Sequence, residues 1–173
     1  MKIEKKYKDY KPGRKWFKTI VVKIVFFVFG KALKAVSQYD EDAKKEIELL
    51  PEGLTVIFEV VPFGPYMSCK IENGRIKYLG LKKVDEDNAF VFKHIEPIFK
   101  MLTGQIGLPQ VYTENSLTTR GDLAASMIFY RVSNIVQFYL WPKFIAKIVL
   151  KKVPDMTIKK FFTRLLIYLR III

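Results

Sequence analysis

The hydrophobic period of this chain changes from helical to alternating near residue 54 and returns to helical near residue 95. Leu54, Val56, Phe58 and Val60 fall on one face of an alternating run and Glu59 on the other, which is typical of a strand with one buried face. Further on, Asn-Gly stands between two such runs at residues 72–75, a strong hairpin signal because both residues tolerate positive φ. This change of hydrophobic period therefore predicts a meander of strands between helices.

The remaining segments are predicted from helix and turn signals. A short polar helix at 40–49 is closed by Pro51 and Gly53, Gly104 ends a second helix, and Asp122 is placed to cap a third. The order is helix, three-strand meander, strand, helix, strand, helix, which indicates an α+β fold with helices on one face of a sheet. The predicted ranges are a mobile arm at 1–13, helices at 14–37, 40–49, 95–104, 123–140, 143–152 and from about 157, and strands at 54–60, 66–72, 75–79, 89–93 and 116–120.

The excess positive charge lies at the two ends of the chain. Of the formal net charge of +13, residues 1–36 carry 11 Lys/Arg against 2 Asp/Glu, and residues 143–173 carry 8 against 1. The middle, 37–142, holds 11 against 14 and is slightly acidic. Three regions are predicted from this: a basic arm and apolar helix at 1–37, a domain at 38–142, and basic amphipathic helices at 143–173.

The N-terminal apolar run, residues 19–30, is a candidate targeting or spanning segment. As a helix it measures about 18 Å, whereas a bilayer core needs about 30 Å, so we expect no membrane span. Glu4, Asp9 and Lys23 oppose a cleaved signal peptide. The single cysteine, Cys69, has no internal partner for a disulfide, which suits a reducing compartment, and we expect a cytoplasmic protein.

The block DNAFVFKHIEPIFKMLTGQIGLPQVYTENSLTTRGDLAASMIFY resembles the C-terminal half of the sterol carrier protein type 2 domain. The landmarks are Thr103-Gly104 after a helix and Gly121-Asp122 between a strand and a long helix, and the resemblance covers roughly residues 40–139. It implies a five-stranded mixed sheet with helices over one face, a hydrophobic tunnel for acyl chains, sterols or isoprenoids, and no catalytic residues or cofactor. The basic helices at both ends depart from the family pattern, and some relatives are accessory factors in isoprenoid quinone synthesis.

Given such a tunnel, its wall can be predicted from the alternate strand positions that face the core and from the apolar faces of the helices. The predicted ligand-binding residues are Phe58, Val60, Met67, Phe90, Phe92, Phe99, Leu102, Val111 and Met127.

The C-terminal helix carries an apolar stripe at helical spacing, bordered by Lys and Arg. Such a helix favours an anionic membrane surface, where long basic side chains reach the headgroups; alternatively, it packs on the domain or on the N-terminal helix, and both can hold. The stripe comprises Ile158, Phe161, Phe162, Leu165, Leu166, Leu169, Ile172 and Ile173. The predicted membrane-contact residues are Trp16, Phe17, Lys18, Phe161, Phe162, Arg164, Leu165 and Arg170.

Other functions fit the sequence less well. Nucleic-acid binding does not require bulky aliphatics between the lysines, and no helix-turn-helix or zinc spacing is present. His94 is interpreted as a structural histidine, Cys69 as a small core residue and the acidic run 85–87 as a solvated turn, so no catalytic or metal site is predicted. The leading hypothesis is a non-enzymatic, peripheral-membrane lipid-binding protein. The alternative is an interaction protein whose terminal helices bind a partner complex or a second copy.

Overall fold

The computed structural model describes residues 15–141 and 157–172, which form helices around one sheet. Their order confirms the predicted α+β class. The helices are α1 Trp16–Tyr39, α2 Glu41–Ile47, α3 Ile95–Leu102, α4 Leu108–Thr113, α5 Leu123–Leu140 and α6 Ile158–Ile172, and the strands are β1 Thr55–Val60, β2 Tyr66–Glu72, β3 Arg75–Gly80, β4 Asn88–Phe92 and β5 Leu117–Arg120.

The sheet is mixed and has the strand order β3-β2-β1-β4-β5. β1 pairs with β2 and β2 with β3 in antiparallel fashion, β4 lies parallel to β1, and β5 is antiparallel to β4. At the predicted hairpin, Asn73 and Gly74 have φ values of 54° and 63°, which is the left-handed conformation that Asn-Gly favours. The five-stranded mixed sheet is thus confirmed.

One face of the sheet carries the main core. The inner residues of β1 predicted from the alternation, such as Val56 and Phe58, are buried with Met67, Cys69 and Ile71 of β2. Helices α1, α3 and α5 contribute to the same core, so α1 is packed as an integral part of the fold. The boundaries at 37/38 and 142/143 stay predictions.

The opposite face of the sheet is also partly buried. Because β3 and β4 are separated by two strands, the loop of residues 81–87 must cross the sheet. Ser68 Oγ of β2 donates a 2.5 Å hydrogen bond to the Lys82 carbonyl of this loop. Glu59 is only 4% exposed there, and its carboxylate pairs with Lys83 and Arg120 at 3.0 Å each. The alternating pattern placed Glu59 correctly on the outer face, but it could not indicate that a crossover loop covers that face.

Aspartates cap two helix N-termini, and the cap at Asp122 is the one predicted from the sequence. Asp40 Oδ1 accepts a hydrogen bond from the Ala43 N–H at 2.8 Å, and Asp122 Oδ1 accepts one from the Ala124 N–H at 2.9 Å. Both carboxylates satisfy amides that have no partner within their own helices. Gly104, with φ of 74°, follows α3 as predicted.

The prediction missed one helix, and some of its segments lie outside the described residues. No element is predicted between the helix that ends at 104 and the strand at 116–120, but α4 forms there with Pro109 in its first turn, a position where the missing N–H costs nothing. The predicted arm at 1–13 and the predicted helix at 143–152 fall outside the described ranges.

Helix α6 packs on the rest of the protein through the face that lies opposite to its predicted apolar stripe. Thr163 and Ile167 are buried against the body of the protein, which α6 contacts through α1 and α5. Tyr168 Oη donates to the Tyr139 carbonyl at 3.1 Å, and Arg164 donates to the Trp141 carbonyl at 2.8 Å. The helix therefore packs on the domain and still turns most of its large apolar side chains outward.

Candidate functional site

A cluster of phenylalanines lies over the centre of the sheet. Phe58 stacks on Phe90 with ring centroids 4.8 Å apart, and Phe129 of α5 lies 6.0 Å from Phe58. From above, α1 adds Phe26 and Phe29, whose rings meet Phe58 edge-on at 6.3 and 6.1 Å. Helix α1 thus covers the middle of the sheet with its own aromatic side chains.

A small cavity remains in this cluster, between α1, α3, α5 and the sheet. Its volume is about 20 Å³, enough for about one water molecule. A tunnel for an acyl chain or ring system is therefore closed in this conformation, because α1 fills the space. The lining residues are Phe26, Phe29, Phe58, Phe90, Met101, Leu102, Tyr130, Ser133 and Gln137.

The polar lining residues all come from α5. Ser133 Oγ donates to the Phe129 carbonyl at 2.9 Å. Gln137 is 6% exposed, and its Oε1 has no hydrogen-bond partner among the described residues. Leaving a buried acceptor unpaired costs about 1–3 kcal/mol, so Gln137 is an exception that packing alone does not explain.

Part of the predicted ligand wall lies at this cavity. Phe58, Phe90 and Leu102 line it directly. Phe99 is half-buried against the core without lining the cavity, with Lys18 Nζ 5.3 Å from its ring centroid. Four others are buried in the same core without lining the cavity: Val60, Met67, Phe92 and Val111.

The prediction for Met127 is corrected by the structure. Met127 is 48% exposed, because α5 turns Ala125, Phe129 and Val132 toward the core and leaves position 127 on the opposite face. The prediction also missed Phe26 and Phe29, since the N-terminal helix was treated as an addition to the domain. The spacing of 130, 133 and 137 on one face of α5 was a signal that could have identified its polar lining residues.

The N-terminal turn of α1 is held to α3 by ion pairs. Lys15 Nζ lies 2.7 Å from Glu96 Oε1, and Lys18 Nζ lies 2.5 Å from Glu96 Oε2. The hydrogen bonds from Lys15 and Lys18 lower the pKa of Glu96 to about 2. These side chains are about one-third exposed, so water and salt screen the attachment.

Two helical stripes of large apolar side chains face solvent. We call Trp16, Phe17, Ile20, Ile24 and Phe27 the α1 stripe, and Phe161, Phe162, Leu165, Leu166 and Leu169 the α6 stripe; each of these residues is exposed. Helices α1 and α6 pack against each other, so the two stripes belong to neighbouring elements. Exposed apolar surface on this scale is typical of a binding surface for a membrane or another protein.

A basic cleft of about 230 Å³ lies between α1 and α6 and is lined by Lys31, Lys34, Ala35, Gln38 and Arg170. Lys31 Nζ donates to the Ile171 carbonyl at 3.2 Å, and Arg170 donates to Tyr39 Oη at 3.2 Å. Among residues 15–141 and 157–172, no carboxylate pairs with the three cations of this cleft. The cleft is therefore suited to an anion.

The predicted membrane-contact residues divide into two groups. Trp16, Phe17, Phe161, Phe162 and Leu165 are members of the exposed stripes. The cationic members Lys18, Arg164 and Arg170 make hydrogen bonds within the protein, to Glu96, the Trp141 carbonyl and Tyr39 respectively.

Other candidate groups lie apart from the cavity. His94 is exposed at the N-cap of α3 and makes no capping hydrogen bond, and Cys69 is buried, which raises the pKa of its thiol to about 12. Within the described ranges, no cluster of His, Cys, Asp and Glu could hold a metal ion. Of the helices in that same part of the chain, none is long and apolar enough to cross a bilayer.

No protein-family model matches the chain, and no curated protein matches it. Solved structures do match. A ubiquinone synthesis protein named UbiJ-SCP2 is 16% identical, with 69% of this chain and 98% of that chain covered and a TM-score of 0.43. A conserved hypothetical protein of Thermus thermophilus, described as possibly a sterol carrier protein, is 13% identical (70% and 86% covered, TM-score 0.46). Sterol carrier protein 2 of Yarrowia lipolytica, in its apo form, is 16% identical (69% and 94% covered, TM-score 0.44). Each of these three structures is thus similar to this chain over about 70% of its length, and each carries SCP2 or sterol carrier protein in its description.

Proposed function

We propose that this protein is a non-enzymatic lipid-binding protein that holds a hydrophobic ligand between the sheet and its helices and associates peripherally with anionic membranes. The observation that carries the proposal is the position of α1. Its inner face fills the space over Phe58 with Phe26 and Phe29, and its outer face is the α1 stripe.

An apolar ligand would replace α1 side chains at the phenylalanine cluster. Since the cavity holds about 20 Å³, binding requires α1 to move away from the sheet. The apolar residues that α1 uncovers would then be covered by the ligand, and burial of apolar surface contributes about 25 cal/mol per Å² before the costs of association. The screened ion pairs of Glu96 are a weak attachment for the end of α1 that would move.

A membrane supplies the environment in which this movement is favourable. The α1 and α6 stripes would enter the interface, and the basic cleft of Lys31, Lys34 and Arg170 would take a lipid phosphate. Each basic residue near an anionic surface contributes on the order of 1 kcal/mol. Charge complementarity thus favours an anionic bilayer over a neutral one.

Uptake of a fluorescent long-chain alcohol by the full chain tests the ligand site. We expect saturable binding at about one probe per protein, and faster uptake in Phe26→Leu, which shortens a side chain that fills the site. Met127→Leu on the exposed face of α5 is the matched control and should bind like the wild type. The absence of saturable uptake in all three proteins would contradict the proposal.

Flotation with phosphatidylserine-containing and pure phosphatidylcholine vesicles tests the membrane surface. We expect the full chain to float with the anionic vesicles, and Phe161→Ser with Phe162→Ser to reduce the bound fraction at least tenfold. Phe63→Ser is the matched control, because Phe63 is 76% exposed at the turn after β1 and belongs to neither stripe. If neither vesicle recruits the chain, the membrane part is wrong, and the stripes are better explained as a surface for a partner protein or a second copy.

A further inference from the structure

We propose that the ligand is a neutral lipid with a hydroxyl group, and that this hydroxyl is held inside the protein by Gln137 of α5. The inference rests on the proposed function and deepens it, because it assigns the polar group of the ligand and the residue that recognises it.

The first observation is the unpaired state of Gln137. The residue is 94% buried and lines the cavity, and its Oε1 has no hydrogen-bond partner in the part of the chain that the structure describes. Buried polar groups in folded proteins are nearly always hydrogen-bonded, so such an orphan at a cavity indicates a group that binds there.

The second observation is the arrangement of polar residues along α5. Tyr130, Ser133 and Gln137 line the cavity at positions i, i+3 and i+7, so they follow one face of the helix. The other lining side chains are phenylalanines, a methionine and a leucine. An apolar space with one polar edge is the arrangement by which small-molecule pockets orient a largely apolar ligand.

The third observation concerns charge. None of the nine side chains that line the cavity is charged. An ionised carboxylate or phosphate at Gln137 would be buried without a counter-ion, which is strongly unfavourable. A hydroxyl is neutral and both donates and accepts a hydrogen bond, so it pairs with the side-chain amide in either orientation of that amide.

Helix α5 is positioned to keep this edge in place when α1 moves. Phe129 of α5 packs on Phe90 of the sheet with ring centroids 6.1 Å apart, and Asn88 Nδ2 donates to Ser126 Oγ at 2.7 Å. The polar side chains of α5 would therefore stay beside the sheet when α1 moves. The apolar body of the ligand would occupy the space that Phe26 and Phe29 leave.

The test is a competition between two lipids that differ only at the hydroxyl. The full chain is incubated with vesicles that contain equal amounts of 1-hexadecanol and its methyl ether, separated from the vesicles, and extracted for quantification by mass spectrometry. For the wild type we expect the alcohol to exceed the ether about fivefold, the factor that one hydrogen bond of typical strength contributes. In Gln137→Met the ratio should fall to about one while the total amount of bound lipid stays the same.

The control is Gln110→Met, the same substitution at an exposed glutamine of α4, and it should keep the wild-type ratio. Gln137→Met is expected to fold, because it removes an unpaired buried acceptor, and its thermal unfolding should occur at or above the wild-type temperature. A ratio near one in the wild type, or an unchanged preference in Gln137→Met, would overturn the inference while leaving lipid binding intact. If no protein retains either lipid, the proposed function fails and the inference with it.

Discussion

Gly30 of α1 lies directly against the ring of Tyr78 on β3. A Cβ at position 30 would come within 2.3 Å of Tyr78 Cε2 and 2.4 Å of Cδ2, distances that real Cβ atoms do not reach. The same ring meets Phe27 edge-on at 6.2 Å, so it has a neighbour on α1 at a second position. The absence of a side chain at Gly30 is what lets the helix approach the edge of the sheet this closely.

Gly30→Ala should therefore loosen α1. Alanine favours a helix over glycine by about 0.5–1 kcal/mol, but overpacking against the ring costs about 1–3 kcal/mol. We expect a lower free energy of unfolding in urea, together with faster uptake of the fluorescent long-chain alcohol.

The pair can be tested by a double-mutant cycle. Tyr78→Ala removes the ring that the new methyl group would meet, so the Gly30→Ala change should cost less in that background, with a coupling of about 1 kcal/mol or more. Additive effects of the two substitutions would show that the close approach does not matter.

The junction of α1 and α2 is tied to the end of α5 by a buried hydrogen bond. Tyr139 Oη donates to Asp40 Oδ2 at 2.5 Å, and burial raises the pKa of the tyrosine, with the nearby carboxylate adding to the effect. Tyr139→Phe should lower the free energy of unfolding by about 1.5–3 kcal/mol, the range for a hydrogen bond to a charged group. Tyr112→Phe, at an exposed hydroxyl that contacts Thr119 at 2.8 Å, is the matched control and should change stability little. Equal effects would contradict this account.

The ion pairs of Glu96 give a prediction for pH. Because the pKa of Glu96 is lowered in the folded protein to about 2, its stabilising contribution is present above the pKa of the unfolded chain and is lost as the pH falls toward 2. Glu96→Gln should be less stable than the wild type at pH 7 by about 1 kcal/mol or less, as for partly exposed pairs. The two proteins should become equally stable near pH 2 in urea titrations; a difference that persists there would exclude the ion pairs as its cause.

Cys69 is a natural probe of the opening of the core. Burial raises the pKa of its thiol to about 12, and only the thiolate reacts readily with disulfide reagents. At pH 8, Cys69 of the folded protein should react very slowly with such a reagent. In denaturant it should react at the rate of a free thiol. Anionic vesicles should accelerate the reaction if α1 moves there, whereas rapid labelling of the folded protein without vesicles would contradict the buried position.

The sequence predicted the elements whose signals are local. The alternation of β1, the Asn73-Gly74 turn and the Asp122 cap depend on neighbouring residues, and each forms as expected. The loop above Glu59 and the filling of the site by Phe26 and Phe29 depend on contacts between distant segments. Apolar residues nearly encircle α1, which is typical of a helix that is buried or lies in lipid, but this pattern does not indicate which face is buried and which is exposed.

The site was predicted less completely for the same reason. Strand parity identified Phe58 and Phe90, because side chains alternate strictly along a strand. On α5, the sequence does not show whether the face with Met127 or the face with Tyr130 and Gln137 lines the site, because that depends on which face of the helix packs toward the sheet. The polar residues on that face were passed over because an apolar wall was expected.

Native mass spectrometry of the gently purified full chain shows whether the protein carries a lipid. We expect a population whose mass exceeds that of the polypeptide by one lipid molecule, and release of a single neutral lipid on activation of the ions. A bare polypeptide mass, unchanged after incubation with lipid vesicles, would contradict the claim that this protein holds a lipid.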